Sequence, residues 1–356
     1  MPQQPGQLGD IIFPLLDWYR SNARTLPWRS DPRPYKVWVS EIMLQQTRVA
    51  AVLGYFARFM EALPSVADLA EVEEEQLLKL WQGLGYYNRA RNLQKAARQV
   101  MADYGGAFPS RHEEIIKLSG VGDYTAGAIA SIAFGEAVPA VDGNVLRVIT
   151  RITADPSDIG RPETKAAIRT ALSEIIPLDF PGQFNQALME LGALVCLPNG
   201  APLCGQCPLA RLCRAHLEDK TADIPHKAPK KARRIEERTV CLIFRGDRVA
   251  LRQRPQKGLL ASLWEFPNYL TSDGMPWELS VQRMEQAGRG KHIFTHIEWR
   301  MEGVSLELSD DCLPEDWVWA SREELRQRYA VPNAFGAFLP VVEARLREGE
   351  TYGFSL

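Results

Sequence analysis

Four of the six cysteines crowd into one short loop, as Cys196, Cys204, Cys207 and Cys213, among Pro and Gly residues. Thiols so placed read as ligands of a metal centre in a reducing compartment and not as a disulfide framework. Four soft donors suit a [4Fe–4S] cluster or a single zinc ion. Intervals of seven, two and five residues favour the cluster, because zinc ribbons usually supply two Cys-x-x-Cys pairs and this loop has one. Glu41 carries a different chemistry. It lies among Val39, Ile42, Met43 and Leu44, where burial without a cationic partner raises a carboxyl pKa and holds the proton near neutrality, as a general acid requires. The alternative is an outward turn toward Lys36 or Arg48. Gly120-Val121-Gly122 directly precedes a helix rich in Ala, Ile and Thr; glycines there let backbone N–H groups and a helix N-terminus meet a phosphate. A plain helix–helix turn uses the same residues. Asp142, on the Asp-Gly-Asn turn that follows, adds a carboxylate nearby in sequence, and also suits the N-cap of a helix beginning near Asn144.

The elements that must hold these groups are mostly helical at first. Ile11, Ile12, Leu15, Leu16 and Tyr19 mark an amphipathic helix over 11–24, ended at Leu26-Pro27-Trp28-Arg29. Helical apolar spacing runs on from Val37 to Phe59, with Gln45 and Gln46 on the turn after Glu41. Further helices over 74–102 surround Gly83-Leu84-Gly85-Tyr86-Tyr87-Asn88-Arg89, and another spans Phe184 to Val195. Between Lys220 and Arg238 basic residues outnumber acids seven to three without apolar periodicity, which predicts an exposed basic linker or solvated tether. From Thr239 the pattern turns to strands: Val240 to Phe244 and Val249 to Leu251 flank Gly246-Asp247 as a hairpin. Strands are also expected over 292–301 and 317–320, and helices over 321–328 and 334–347. The 356 residues predict two to three domains, and a hydrophobic content of 46% with 24% charged residues is ordinary for a globular protein. A net charge of −2 means that any DNA-facing surface must come from local clustering. The polar residues 1 to 10 and the lack of a long apolar run predict a cytoplasmic protein with no signal peptide and no membrane contact.

Leu118-Ser119-Gly120-Val121-Gly122 with Val141-Asp142-Gly143-Asn144-Val145 resembles the helix-hairpin-helix DNA glycosylases. Glu41 in Ser-Glu-Ile-Met-Leu-Gln-Gln-Thr, the Gly-Leu-Gly-Tyr-Tyr stretch and the cysteine loop narrow the resemblance to the MutY-type adenine glycosylases, over nearly the whole chain. It implies an all-α helix-hairpin-helix glycosylase fold with an iron–sulfur loop, followed by a Nudix-like α+β domain. The expected boundaries are 1–220 for the helical domain, with a barrel at about 30–137 and an iron–sulfur subdomain of 1–29 plus 138–220. A basic linker at 221–237 and a base-recognition domain at 238–356 follow. The implied activity is monofunctional removal of adenine mispaired with 8-oxoguanine or guanine in double-stranded DNA, by a monomer. Glu41 would protonate the base and Asp142 would stabilise the sugar cation, the two-carboxylate solution of glycosidases. Related enzymes that also cut the strand carry a lysine at the spacing of Tyr124, which cannot form a Schiff base. Tyr124 is expected to bond Asp142 or the sugar, and Asn144 to support the carboxylates and the water.

The same resemblance implies DNA contacts at Arg29, Gln46, Leu84, Tyr86 and Arg89, and at the hairpin glycines Gly120 and Gly122. Gln46 is the expected wedge and Tyr86 the intercalating ring. Phe294-Thr295-His296 would read the opposite base, with Thr295 where the family usually has Ser. The cysteine loop departs from the family's six-residue first interval by one residue, and is expected to present Arg211 and Arg214 to phosphate. No Nudix metal-binding box is present: the 277–288 stretch holds only Glu278 and Glu285. Rival readings are a pyrimidine-damage glycosylase/lyase, a non-catalytic iron–sulfur DNA-binding module and a nucleotide pyrophosphohydrolase. Tyr124 opposes the first, the apolar setting of Glu41 the second, and the missing box the third.

Overall fold

The amphipathic stretch near the N-terminus folds as a 3-10 turn (Leu8–Ile11) running into α1 (Ile12–Asn22), which stops where Ala23 becomes extended. These elements belong to a computed structural model that describes residues 8–229 and 232–352. Two linker residues, Lys230 and Lys231, lie outside the described residues. Two units form: residues up to 71 with 92–229, and residues 72–91 with the C-terminal part from 230.

Short helices make up the first unit. After α2 (Pro27–Ser30), α3 (Pro34–Leu44), α4 (Val49–Ala62) and α5 (Val66–Glu71) comes α6 (Glu74–Leu80), which groups with the second unit. The chain continues through α7 (Asn88–Tyr104), α8 (His112–Ile115), α9 (Asp123–Phe134), α10 (Gly143–Thr153), α11 (Pro162–Ile175), α12 (Pro181–Leu194) and α13 (Arg214–Leu217). The helix expected over 37–59 is two helices. Gln46 takes a φ of 58° and Thr47 N–H bonds back to Leu44, which separates α3 from α4. Apolar spacing resumes in phase on both sides, so periodicity alone conceals the break. Leu15, Leu16, Val148, Phe184, Leu188 and Leu191 bring α1, α10 and α12 together, each burial contributing roughly 1.5–3 kcal/mol.

Among the described residues, seven strands form the second unit's sheet. They are β1 (Arg234–Arg245), β2 (Arg248–Gln253), β3 (Trp264–Glu265), β4 (Asn268–Leu270), β5 (Val281–Ile293), β6 (Ile297–Leu308) and β7 (Trp317–Ser321). The order is β3-β2-β1-β6-β5, with β4 paired to β1 and β7 to β2; the β1–β6 pair is parallel. Val240 to Phe244 are buried throughout because both faces are covered. Val240, Leu242 and Phe244 pack with Trp299, Phe335 and Phe338, while Cys241 and Ile243 meet Leu306, Leu308 and Trp317. Helices α14 (Arg322–Gln327) and α15 (Leu339–Tyr352) follow, α14 opened by a capping box between Ser321 and Glu324.

Two further expectations are corrected. The linker ends sooner than residue 237, since β1 starts at Arg234. Residues 292–301 are not one strand: Phe294 N–H bonds Ile297 O at 2.8 Å and folds the stretch into a β5–β6 hairpin. Residues 72–91, which carry Gly83 to Arg89, fall in the second unit, the division running through α7. Among the described residues no helix is long and apolar enough to cross a membrane.

Candidate active site

Pro34 opens α3 at its first turn, where a missing N–H costs nothing, and the helix carries Glu41 inward to 6% exposure. Its neighbours on the helix, Val39, Ile42 and Met43, are equally buried. The outward alternative is not realised, since Lys36 pairs with Asp31 at 2.7 Å. Burial pushes Glu41 up to about 7; the Asp142 charge adds to the rise, while the Tyr124 hydrogen bond and Arg29 oppose it. Tyr124, on the first turn of α9, donates its hydroxyl to Glu41 Oε2. Of the two partners expected for Tyr124, Asp142 or the sugar, Asp142 is not the one it bonds within the protein: the hydroxyl goes to the acid.

Asp142 is both an N-cap and a site carboxylate. Its Oδ1 accepts from the N–H groups of Asn144 at 2.9 Å and Val145 at 2.8 Å, and its Oδ2 from Asn144 Nδ2 at 2.7 Å. Burial raises its pKa, and the bonds from Val145 and Asn144 pull it back. All three partners are N–H donors, the environment an ionised carboxylate prefers. The segment leading to Asp142 is fixed by Asn185, fully buried on α12. Its Oδ1 accepts from Ala140 N–H at 3.0 Å, and its Nδ2 donates to Val138 O at 2.9 Å and Ser131 Oγ at 2.8 Å. Arg147 donates to Asn144 Oδ1 at 2.9 Å and Gly192 O at 2.8 Å, and through Nε to Cys196 O at 2.7 Å.

Glu41, Tyr124, Asp142 and Asn144 line one cavity of about 490 Å³, within the range of small-ligand sites. Its wall includes a charged cluster of which the sequence reading named only Arg29. Glu190, 1% exposed on α12, binds Arg24 at 2.7 Å and Arg29 at 2.8 Å, and these bonds hold its pKa at about 2 against the opposing effect of burial. Arg29 is therefore a pocket residue with a carboxylate partner. Trp28, buried edge-on to Phe56, lines the same cavity. Nothing local announces Glu190; its meaning depends on arginines more than 160 positions away.

In the cysteine loop, each of the four thiols sits within electrostatic range of the others, and burial raises the pKa values of Cys204, Cys207 and Cys213. Arg151, itself buried, brings Nη1 to 3.2 Å from Cys196 Sγ. Among the described residues, no three His, Cys, Asp or Glu side chains gather tightly enough to hold one metal ion. The donor set, four cysteine thiols within electrostatic range of one another with a guanidinium beside Cys196, has the chemistry of a thiolate-bound group.

The description "HhH-GPD superfamily base excision DNA repair protein" matches residues 39–177, and a NUDIX domain matches 239–340. An adenine DNA glycosylase of Mus musculus is 37% identical, the match covering 87% of this chain and 73% of the relative; one of Homo sapiens is 36% identical over 87% and 70%. The chain belongs to the adenine DNA glycosylase family. It is accordingly an enzyme of the N-glycosyl hydrolase type, with a helix-hairpin-helix domain and a Nudix-like sheet domain. A thermostable thymine-DNA glycosylase has the helical fold at a TM-score of 0.54 and 28% identity, covering 59% of this chain and 96% of its own.

The glycosylase's other expected contact residues divide into presented and packed ones. Gln46 is exposed at the α3–α4 turn, and Tyr86 is 52% exposed with a φ of 48°. Gly120 has a φ of 73°, and an added Cβ there would stand 2.5 Å from Asn92 Cβ, so only glycine fits the hairpin. Gly122 caps α9. Leu84 is buried, and Arg89 folds back to donate to Leu84 O at 3.0 Å and Gly85 O at 3.1 Å; both build the loop that carries Tyr86. Thr295 and His296 are exposed at the β5–β6 tip, while Phe294 packs inward. The stretch read for a Nudix metal-binding helix, 277–288, contributes to β5.

Proposed function

We propose that this glycosylase removes adenine opposite 8-oxoguanine or guanine in double-stranded DNA by hydrolysis, leaving an abasic site without strand cleavage. One observation carries the reading: Glu41, held near pH 7, and Asp142, bonded as a carboxylate, border the same cavity. A flipped adenine takes a proton on a ring nitrogen from Glu41. The sugar–base bond then breaks toward the neutral base, and Asp142 stabilises the positive charge left on the sugar. Water adds to the sugar carbon and gives up its proton to the Glu41 carboxylate, which restores the acid. Tyr124 and Asn144 hold the two carboxyl groups in place, and Glu190 with Arg24 and Arg29 polarises the wall facing the base. Tyr124 stands where a lyase needs an amine, which supports a monofunctional reaction.

Phe294, Thr295 and His296 are assigned to the opposite base, and Gln46, Tyr86 and the Gly120–Gly122 hairpin to the strand. Cys196, Cys204, Cys207 and Cys213 would hold a [4Fe–4S] cluster, which supplies a rigid loop and no catalytic step; the enzyme acts as a monomer. Single-turnover assays on duplexes with A opposite 8-oxoguanine, G or C test the reading. Expected are adenine release, read as alkali-labile abasic sites, fastest opposite 8-oxoguanine, no direct nick, and loss of release in Glu41→Gln. Full release by that variant, or borohydride trapping of the wild type on DNA, overturns it.

A further inference from the structure

Beneath the hairpin tip at 294–296 lies an arrangement that ordinary core packing does not require. Trp299, 1% exposed, sits on β6 directly opposite Glu236 of the parallel strand β1, and its indole Nε1 donates to Glu236 Oε2 at 2.9 Å. The same oxygen accepts from Arg238 Nη1 at 2.9 Å, and Arg238 also donates to Asn268 Oδ1 at 2.9 Å. Two guanidiniums flank the ring: Arg238 at 4.6 Å and Arg254 at 5.6 Å from its centroid. Arg254 is itself anchored, at 2.6 Å, to Glu265, which is 1% exposed. Glu236, Arg238 and Arg254 are largely covered and each is paired, so the indole is held in a single pose by electrostatics as well as by contact.

That pose is transmitted to the tip. Phe294 packs edge-on against Trp299 with centroids 4.9 Å apart, and His292 closes on Phe294 at 4.5 Å. Thr295 and His296 are exposed. Backbone bonds from Arg234 N–H to His296 O at 3.0 Å and from Phe294 N–H to Ile297 O at 2.8 Å tie their backbone to the strands. The one tip side chain anchored in the interior is Phe294.

We propose that Trp299, fixed by Glu236, Arg238 and Arg254, is a positioning residue for recognition of the base opposite adenine. It acts through Phe294, whose pose sets where Thr295 and His296 meet that base. The proposal rests on the assignment of 294–296 as the reader of the opposite base, and it deepens that assignment. It separates Trp299 from a purely structural tryptophan, whose loss would weaken the domain without favouring one opposite base.

The test is single-turnover adenine excision from duplexes with 8-oxoguanine, G or C opposite A, by the full chain and its Trp299→Leu, Trp299→Phe and Glu236→Ala variants. Trp299→Leu is expected to lower the 8-oxoguanine-to-C rate ratio by about two- to tenfold, the worth of one aromatic pair, with the rate opposite C unchanged. Trp299→Phe, which keeps a ring under Phe294, restores most of the ratio. Equal losses opposite every base, or an unchanged ratio in a folded variant, overturn the proposal. If Trp299→Leu loses its C-terminal melting transition, Glu236→Ala decides: it is expected to lower the ratio about twofold or more, and an unchanged ratio refutes the idea. A wild type that excises equally fast opposite all three bases removes the underlying reader assignment, and this proposal with it.

Discussion

Gly192 on α12 lies so close to Asn144 that a Cβ added to it would stand 2.5 Å from Asn144 Cβ and 3.1 Å from its Cα. No side chain fits that gap, and the contact is what lets Arg147 reach both Gly192 O and Asn144 Oδ1. Asn144 in turn fixes Asp142. The tight α10–α12 crossing therefore sets the pose of the site carboxylate.

Gly192→Ala is thus expected to move α12 or Asn144, at a stability cost of about 1–3 kcal/mol for overpacking. Adenine release should fall at least tenfold while the four cysteine positions stay intact. Melting temperature and single-turnover rate check this; a stable variant with an unchanged rate contradicts the linkage.

Glu41 should trade stability for activity. Its folded carboxyl keeps the proton up to about pH 7, against an ordinary 4.5. The folded state therefore binds more protons than the unfolded chain in this window, and stability falls as pH rises through it. Above pH 7 the ionised, buried group costs about 3 kcal/mol. Glu41→Gln should abolish release, yet melt at a higher temperature than wild type at pH 8.5 and show little difference at pH 4.5. Equal shifts at both pH values would contradict a raised pKa.

Tyr124→Phe isolates the tyrosine's share. Its hydroxyl bond lowers the Glu41 pKa, so removing the donor raises it. On the proposed mechanism the alkaline limb of the excision–pH profile follows loss of the Glu41 proton, and it is expected to move to higher pH. A limb that stays put or moves down would assign Tyr124 to another task.

The parts legible in the sequence were those whose signals are local. An acid within an apolar helix, a Gly-x-Gly turn before a helix and clustered thiols each announce themselves within a single short stretch. The missed parts are relations across the chain. Glu190 reads as an ordinary helix acid until α12 packs beside α1 and delivers it to Arg24 and Arg29. The α3–α4 break escaped because its left-handed residue is Gln46, not glycine. The 292–301 hairpin escaped because Phe-Thr-His carries no Gly, Pro, Asn or Asp to mark a turn.

The thiol loop makes a compositional prediction. Anaerobically purified protein should contain about four irons and four sulfides per chain, with broad visible absorption, if a [4Fe–4S] cluster is bound; about one zinc per chain would favour the rival ion. Cys204→Ser should lose the metal and loosen residues 197–213 in hydrogen exchange, with Glu41 and Asp142 still bordering their cavity.

Glu190 supports the strongest stability prediction. Its carboxyl is held at about 2 instead of 4.5, so the unfolded chain binds the extra proton and the pair's contribution is present above pH 4.5. It is lost as pH falls toward 2. Glu190→Ala leaves two arginines beside a cavity without their anion, and removing one partner of a buried pair costs about 3–5 kcal/mol. Denaturant unfolding at pH 7 should show that loss for the helical unit, and the deficit should shrink as pH is lowered toward 3. Arg29 also lowers the Glu41 pKa. Freed from Glu190, its charge is less neutralised, so the alkaline limb of the excision profile should move down, opposite to the shift expected for Tyr124→Phe. Two substitutions on one cavity with shifts of opposite sign would distinguish electrostatic tuning of Glu41 from a general loosening of the pocket, which moves both the same way.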